Sequence, residues 1–185
     1  MKNIDKLTEE FKSKYERFLI GCDSIEEIGQ WNKEELGEMD VFYSNDLVSV
    51  IIRLIASDGE ISNKEVEYLN ENFGFEYSAD ELINVYEECK DEIDCSFDEN
   101  FANGITYMRT INPKLADAYK ELLGLICDII IESDDVISNE ETEVVTKLKA
   151  KLLWLGGIML NIESKIESCI NIAILVCLID SVSYM

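Results

Sequence analysis

Two acidic pairs have the residue types and spacing to do chemistry: Asp58 with Glu65, and Asp134 with Glu141. Each pair lies inside a repeated stretch, SDGEISNKE at 57–65 and SDDVISNEE at 133–141. The stretches agree at Ser, Asp, Ile, Ser, Asn and Glu, and they stand 76 positions apart. Carboxylate oxygens are hard ligands, so two such corners brought together could pool them around a divalent cation, Ca2+ or Mg2+. The pattern is not an EF-hand, because position twelve counted from Asp58 is Leu69 where that loop needs Glu.

The same residues have an architectural reading. Ser62 followed by Glu65 is a capping box, in which each side chain satisfies the other residue's free amide. Ile61 and Val66 have the spacing of a hydrophobic staple, and Gly59 suits the left-handed end of a preceding helix. Ser138, Glu141 and Ile137 repeat the pattern, with Asp135 for Gly59 and Thr142 for Val66, so that corner should be less well formed. Capping leaves Asp58 and Asp134 over. An acid at a helix C-terminus opposes the dipole, at a cost of a few tenths of a kcal/mol or more, and needs a compensating partner. That partner is either the amides opening the next helix or a cation shared with Glu65 or Glu141. Both readings stay open at the sequence level.

The wider composition removes several chemistries. There is no His among the 185 residues, which excludes Ser–His and Cys–His nucleophile pairs and His-ligated zinc. The six Cys show no C-x-x-C spacing, sit mostly among apolar neighbours, and read as reduced core residues of a cytoplasmic protein. A net charge of −23 repels nucleic acid and anionic lipid and favours cations or basic protein surfaces as partners. A hydrolase built on paired carboxylates would need one acid with a raised pKa. Glu132, Asp134 and Asp135 crowd together, but a solvated corner produces the same string, so the chain is read as not an enzyme.

The elements that must position the acidic corners are helical. One Pro, nine Gly and abundant Leu, Ile, Glu and Lys predict an all-α protein. Ile4, Leu7, Phe11, Tyr15, Phe18 and Leu19 recur at helical steps over 4–20. A second helix is expected over 24–36 from Ser24, then a loop over 37–43. Ser44 is expected to open a heavily buried helix through Leu47 to Ile55, with Tyr43 as a staple to Val48. Helices follow at 62–73, 78–93 and 97–110, with Gly104 inside the last. Asn112–Pro113 is a clean helix start, and that helix should run to about residue 132. Another runs from Ser138 to about Leu155. Trp31 and Trp154 are read as packing residues.

Beyond Gly156–Gly157 the composition changes. Residues 151–185 hold two Lys and three acids, net −1, so the rest of the chain carries −22. The stretch INIAILVCLI at 170–179 is half the length a membrane span needs, about 20 residues, so a buried or partner-contact helix is expected there, with a tail anchor as the alternative.

An apolar helix, then D-G-x-I-x-x-x-E, then a helix, used twice, resembles the TerB-like tellurite-resistance family. It is similar to the N-terminal domain of the membrane co-chaperone DjlA. The residues that carry the likeness are Asp58, Gly59, Ile61 and Glu65, then Asp134, Ile137 and Glu141, over residues 37–155. The second copy has Asp135 in place of the family's Gly. The resemblance implies a compact all-α bundle with an internal pseudo-repeat. Residues 1–36 would be an N-terminal helical extension and 156–185 an apolar C-terminal helix. It further implies a non-enzymatic interaction or scaffold module of a bacterial stress-response system, with a protein partner and contact with the membrane but no span. Acidic cation sites at Asp58, Glu65, Asp134 and Glu141 belong to the same picture. Homo-oligomer formation through the C-terminal helix is a further expectation. The alternative function is divalent-cation binding at those four residues.

Overall fold

The computed structural model describes residues 3–56, 61–73, 78–133 and 139–154. Among them are seven helices and no strand. They are α1 (Asn3–Glu27), α2 (Lys33–Leu36), α3 (Met39–Ile55), α4 (Asn63–Phe73), α5 (Ala79–Ile111), α6 (Pro113–Ser133) and α7 (Asn139–Trp154). The expected C-terminal helix over 156–185 lies outside the described residues, as does the side chain of Trp154.

Helix α6 is the hub, with α1, α3, α5 and α7 all packed on it. Its sequence is apolar on most sides, and Leu115, Ala116, Tyr119, Leu122, Leu123 and Ile126 are all buried. The start is fixed as the sequence requires: Asn112 Oδ1 accepts from the amides of Lys114 at 3.0 Å and Leu115 at 3.1 Å. Helix α1 runs antiparallel to α6. Gly21 lies against Leu115 near one end of the contact, and Lys14 pairs with Glu121 at 2.8 Å further along. Phe11, Phe18, Cys22 and Ile25 of α1 enter the same core as the rest of the bundle, so residues expected as an extension share its packing.

Three helix boundaries differ from the sequence expectation, each for a local reason. Helix α1 continues through Ser24 to Glu27, because Ser24 Oγ donates back to the Ile20 carbonyl at 2.8 Å instead of capping a new helix. The break comes later, where Gly29 and Gly37 take positive φ. Helix α3 starts at Met39, five residues before Ser44. Ser44 Oγ again bonds backward, to the Asp40 carbonyl at 2.6 Å, and Tyr43 turns into the core in place of the expected staple role. Helix α5 is one element of 33 residues, not two. Residues 94–96 carry no Gly or Pro to interrupt it, and at 1.5 Å per residue it reaches about 50 Å. Its start is a complete capping box: Ser78 N donates to Glu81 Oε2 at 2.7 Å, and Glu81 N donates to Ser78 Oγ at 3.3 Å.

The pseudo-repeat is visible in the helix order. Helices α4 and α7 each begin at the Asn of the repeated stretch, Asn63 and Asn139, and each follows a heavily buried helix. The first copy keeps Ile61 and Val66 on either side of the helix start, and both are buried in the core. In the second copy Thr142 is exposed where Val66 is buried, and the core contact passes to Val145.

Candidate functional site

The four acids singled out by spacing fall at the edges of the description. Asp58 and Asp134 lie outside the described residues. Glu65 and Glu141 occupy the third position of α4 and of α7, and their side chains also lie outside the description. Among the described residues, no group of three or more His, Cys, Asp or Glu is arranged to hold a metal ion.

A different carboxyl stands out, which spacing alone passed over. Asp46 is three residues after Tyr43 and seven after Met39, in the helical phase of buried Val50 and Leu54. An acid on the apolar face of a helix was the available signal. Tyr119 of α6 donates its hydroxyl to Asp46 Oδ2, and Tyr119 has no exposed surface. Beside it, Tyr43 donates to the Gly104 carbonyl of α5 at 3.1 Å. A Cβ built on Gly104 would stand 3.9 Å from Asp46 Oδ2, so α5 passes close to the carboxyl.

Aromatic rings fill the space around this pair. Phe18 of α1 stacks on Tyr119 at 5.2 Å and meets Tyr43 edge-on at 6.0 Å. Tyr43 and Tyr119 meet at 5.1 Å. Trp31 extends the group through Phe42, Tyr43 and Tyr107, and its indole donates to the Gly37 carbonyl at 2.7 Å, which bears out its packing role. Tyr15 Oη and Ser44 Oγ, 2.6 Å apart, close the α1–α3 side.

The electrostatics follow from this enclosure. Asp46 as a residue keeps intermediate exposure, but the surroundings of its carboxyl, more than that average, set its proton affinity. Burial pushes the carboxyl up to about 6, against the Tyr119 hydrogen bond, which lowers it. Tyr119 is itself pushed well above the usual tyrosine range by burial and by the neighbouring Asp46. Burial likewise lifts the Cys22 and Cys127 thiols to about 12, so both are protonated and poor nucleophiles at neutral pH.

A carboxyl near 6 is suited in principle to proton transfer, but such work also needs a substrate within hydrogen-bond reach. Phe18, Tyr43, Tyr119 and the backbone of α5 take the neighbouring volume. A void of about 10 Å³ lies elsewhere, between Ile51, Ile55, Tyr68, Leu69, Ile126 and Ile130. That is room for about one water-sized sphere in a mostly apolar, partly open depression, too small for a substrate. Among the described residues the Asp46 cluster links α3 to α6 beside α5. No protein-family model, curated protein or solved structure matches the chain.

Proposed function

We propose that the chain is a non-enzymatic interaction module of a bacterial stress-response system, working in the cytoplasm and at the membrane surface through a protein partner. The TerB-like resemblance of the repeated corners supplies the cellular theme. The observation that carries the reading is a set of exposed apolar residues in the first part of the chain. Ile20 of α1, Ile28 just after it and Val41 of α3 are 58%, 64% and 47% exposed, and the exposed acids Asp23, Glu27, Glu34, Glu35 and Glu38 lie near them in the sequence. Apolar side chains set among carboxylates suit a partner with a basic, partly apolar face, and the charge of −23 speeds its approach. No described helix is long and apolar enough to cross a membrane, so membrane contact would run through the partner or through the surface.

Site-specific photo-crosslinking tests this. A crosslinking amino acid is placed at Val41, at Ile28 and, as a control, at Lys12 on the remote half of α1. Bacterial cells expressing each version are challenged with tellurite. The expected result is a discrete adduct from Val41 and Ile28 to a protein with a basic surface, weakened by Glu27→Gln with Glu38→Gln. Equal labelling from all three positions, or none, would overturn the reading.

A further inference from the structure

Asp46 is placed where three helices converge. It belongs to α3, its hydrogen-bond donor Tyr119 belongs to α6, and Gly104 of α5 lies beside it, where an added Cβ would stand 3.9 Å from Asp46 Oδ2. Among the described residues the groups beside it are neutral: the Tyr119 and Tyr43 phenols, with Phe18 next to them and Tyr15 further along α1. The nearest acid on its own helix toward α1 is Asp40, which lies by Cys22 and Tyr15. Several described cations on the packed elements pair with other acids. Lys14 of α1 pairs with Glu10 and Glu121, Lys33 of α2 with Glu26 and Glu38, Arg109 of α5 with Asp117, and Lys149 of α7 with Asp128. A largely enclosed carboxylate whose described partner is a phenol, with no described cation beside it, is costly, whereas the protonated acid is not.

We propose that Asp46 is a proton-operated clasp between α3 and α6: its burial favours the neutral acid by more than the Tyr119 hydrogen bond favours the carboxylate, so ionisation loosens the junction. The bundle then tightens on mild acidification and relaxes as acid is withdrawn. The sign follows from linkage. The unfolded chain releases this proton near the ordinary value of 3.8, and the folded chain holds it to about 6. Between those values the folded state binds more protons, so the stabilisation is complete below the lower value and is lost as pH rises through the upper one. A displacement of roughly two units corresponds to about a hundredfold in the folding equilibrium. About tenfold of that falls between about pH 5 and 7, a range clear of the isoelectric point near 4.2.

The test is urea unfolding of the full chain at fixed ionic strength across that range, for wild type, Asp46→Asn and Tyr119→Phe. Comparison with Asp46→Asn removes the contribution of the other carboxylates, which both proteins share. The wild-type folding constant is expected to fall about tenfold relative to Asp46→Asn as pH rises from about 5 to 7. Tyr119→Phe removes the donor that holds the carboxyl down, so its transition should move to higher pH. A merely structural Tyr119 would lower stability equally at every pH. The carboxyl carbon shift of Asp46, followed by NMR in the wild type, gives the midpoint directly even if Asp46→Asn folds poorly. Parallel wild-type and Asp46→Asn curves, or a carbon midpoint near the ordinary aspartate value, would overturn the clasp.

Discussion

Single side chains in this protein matter most where several helices meet on them. Phe18 is 1% exposed and touches both Tyr43 and Tyr119, so one ring ties α1 to α3 and α6. Truncating it leaves a cavity that rigid neighbours cannot fill. Phe18→Ala is therefore expected to destabilise by about 3–5 kcal/mol, measured as a lower urea midpoint with an unchanged m-value. The cysteines give an independent check on burial. Cys22 and Cys127 are free, fully buried and lifted to about 12. In the native protein at pH 8 neither should react with a thiol reagent on the timescale of a free thiol. Labelling followed by peptide mapping should find both modified only after denaturant is added.

At the scale of elements, the bundle is set by how closely α1 and α6 approach. Gly21 lies at that crossing, where an added Cβ would come within 2.6 Å of Leu115 Cδ1. Gly124, within α6, would present its Cβ to open space. Replacing a helix-interior Gly by Ala is worth about 1 kcal/mol where nothing opposes it. Gly124→Ala should raise stability by roughly that amount. Gly21→Ala should show no gain, since the buried Leu115 must shift to admit the methyl group. Thermal unfolding of the two variants side by side distinguishes them. The contrast explains why the glycines inside α1 and α6 carry different weight.

The whole molecule is an apolar helical core inside a shell of carboxylates. Ion pairs such as Lys14–Glu121 and Lys149–Asp128 join helices across the surface, but 39 acids against 16 basic residues leave a large excess of negative charge. Self-repulsion of that size opposes compaction, and salt screens it over about 8–10 Å at physiological ionic strength. The melting temperature should therefore rise on going from about 20 mM to 300 mM NaCl, by several degrees if the relief is about 1–2 kcal/mol. A falling or flat melting temperature would mean that attractive ion pairs dominate. The same charge makes association with a basic partner faster at low salt and slower at high salt.

Much of this fold is written locally. Apolar residues at helical steps, the Ser78–Glu81 box and the Asn112–Pro113 start specify helices through interactions within a few residues of the chain, and those features stand where the spacing placed them. Ser24 and Ser44 were misread because a serine can cap a new helix or bond back into an existing one, and neighbouring residues do not decide between the two. The duplicated corner is legible as a helix start in both copies, at Asn63 and Asn139. The meaning of Asp46 was not legible. The sequence determined an acidic chain, all-α over its described residues, with a helix starting at the Asn of each repeated stretch. Only the tertiary structure decided that α1 and α6 would press together at Gly21, and that one acid among many would face Tyr119 instead of water. Burial and hydrogen bonding across 73 residues arise only when helices pack, and they are what turn an ordinary carboxylate into a different chemical group.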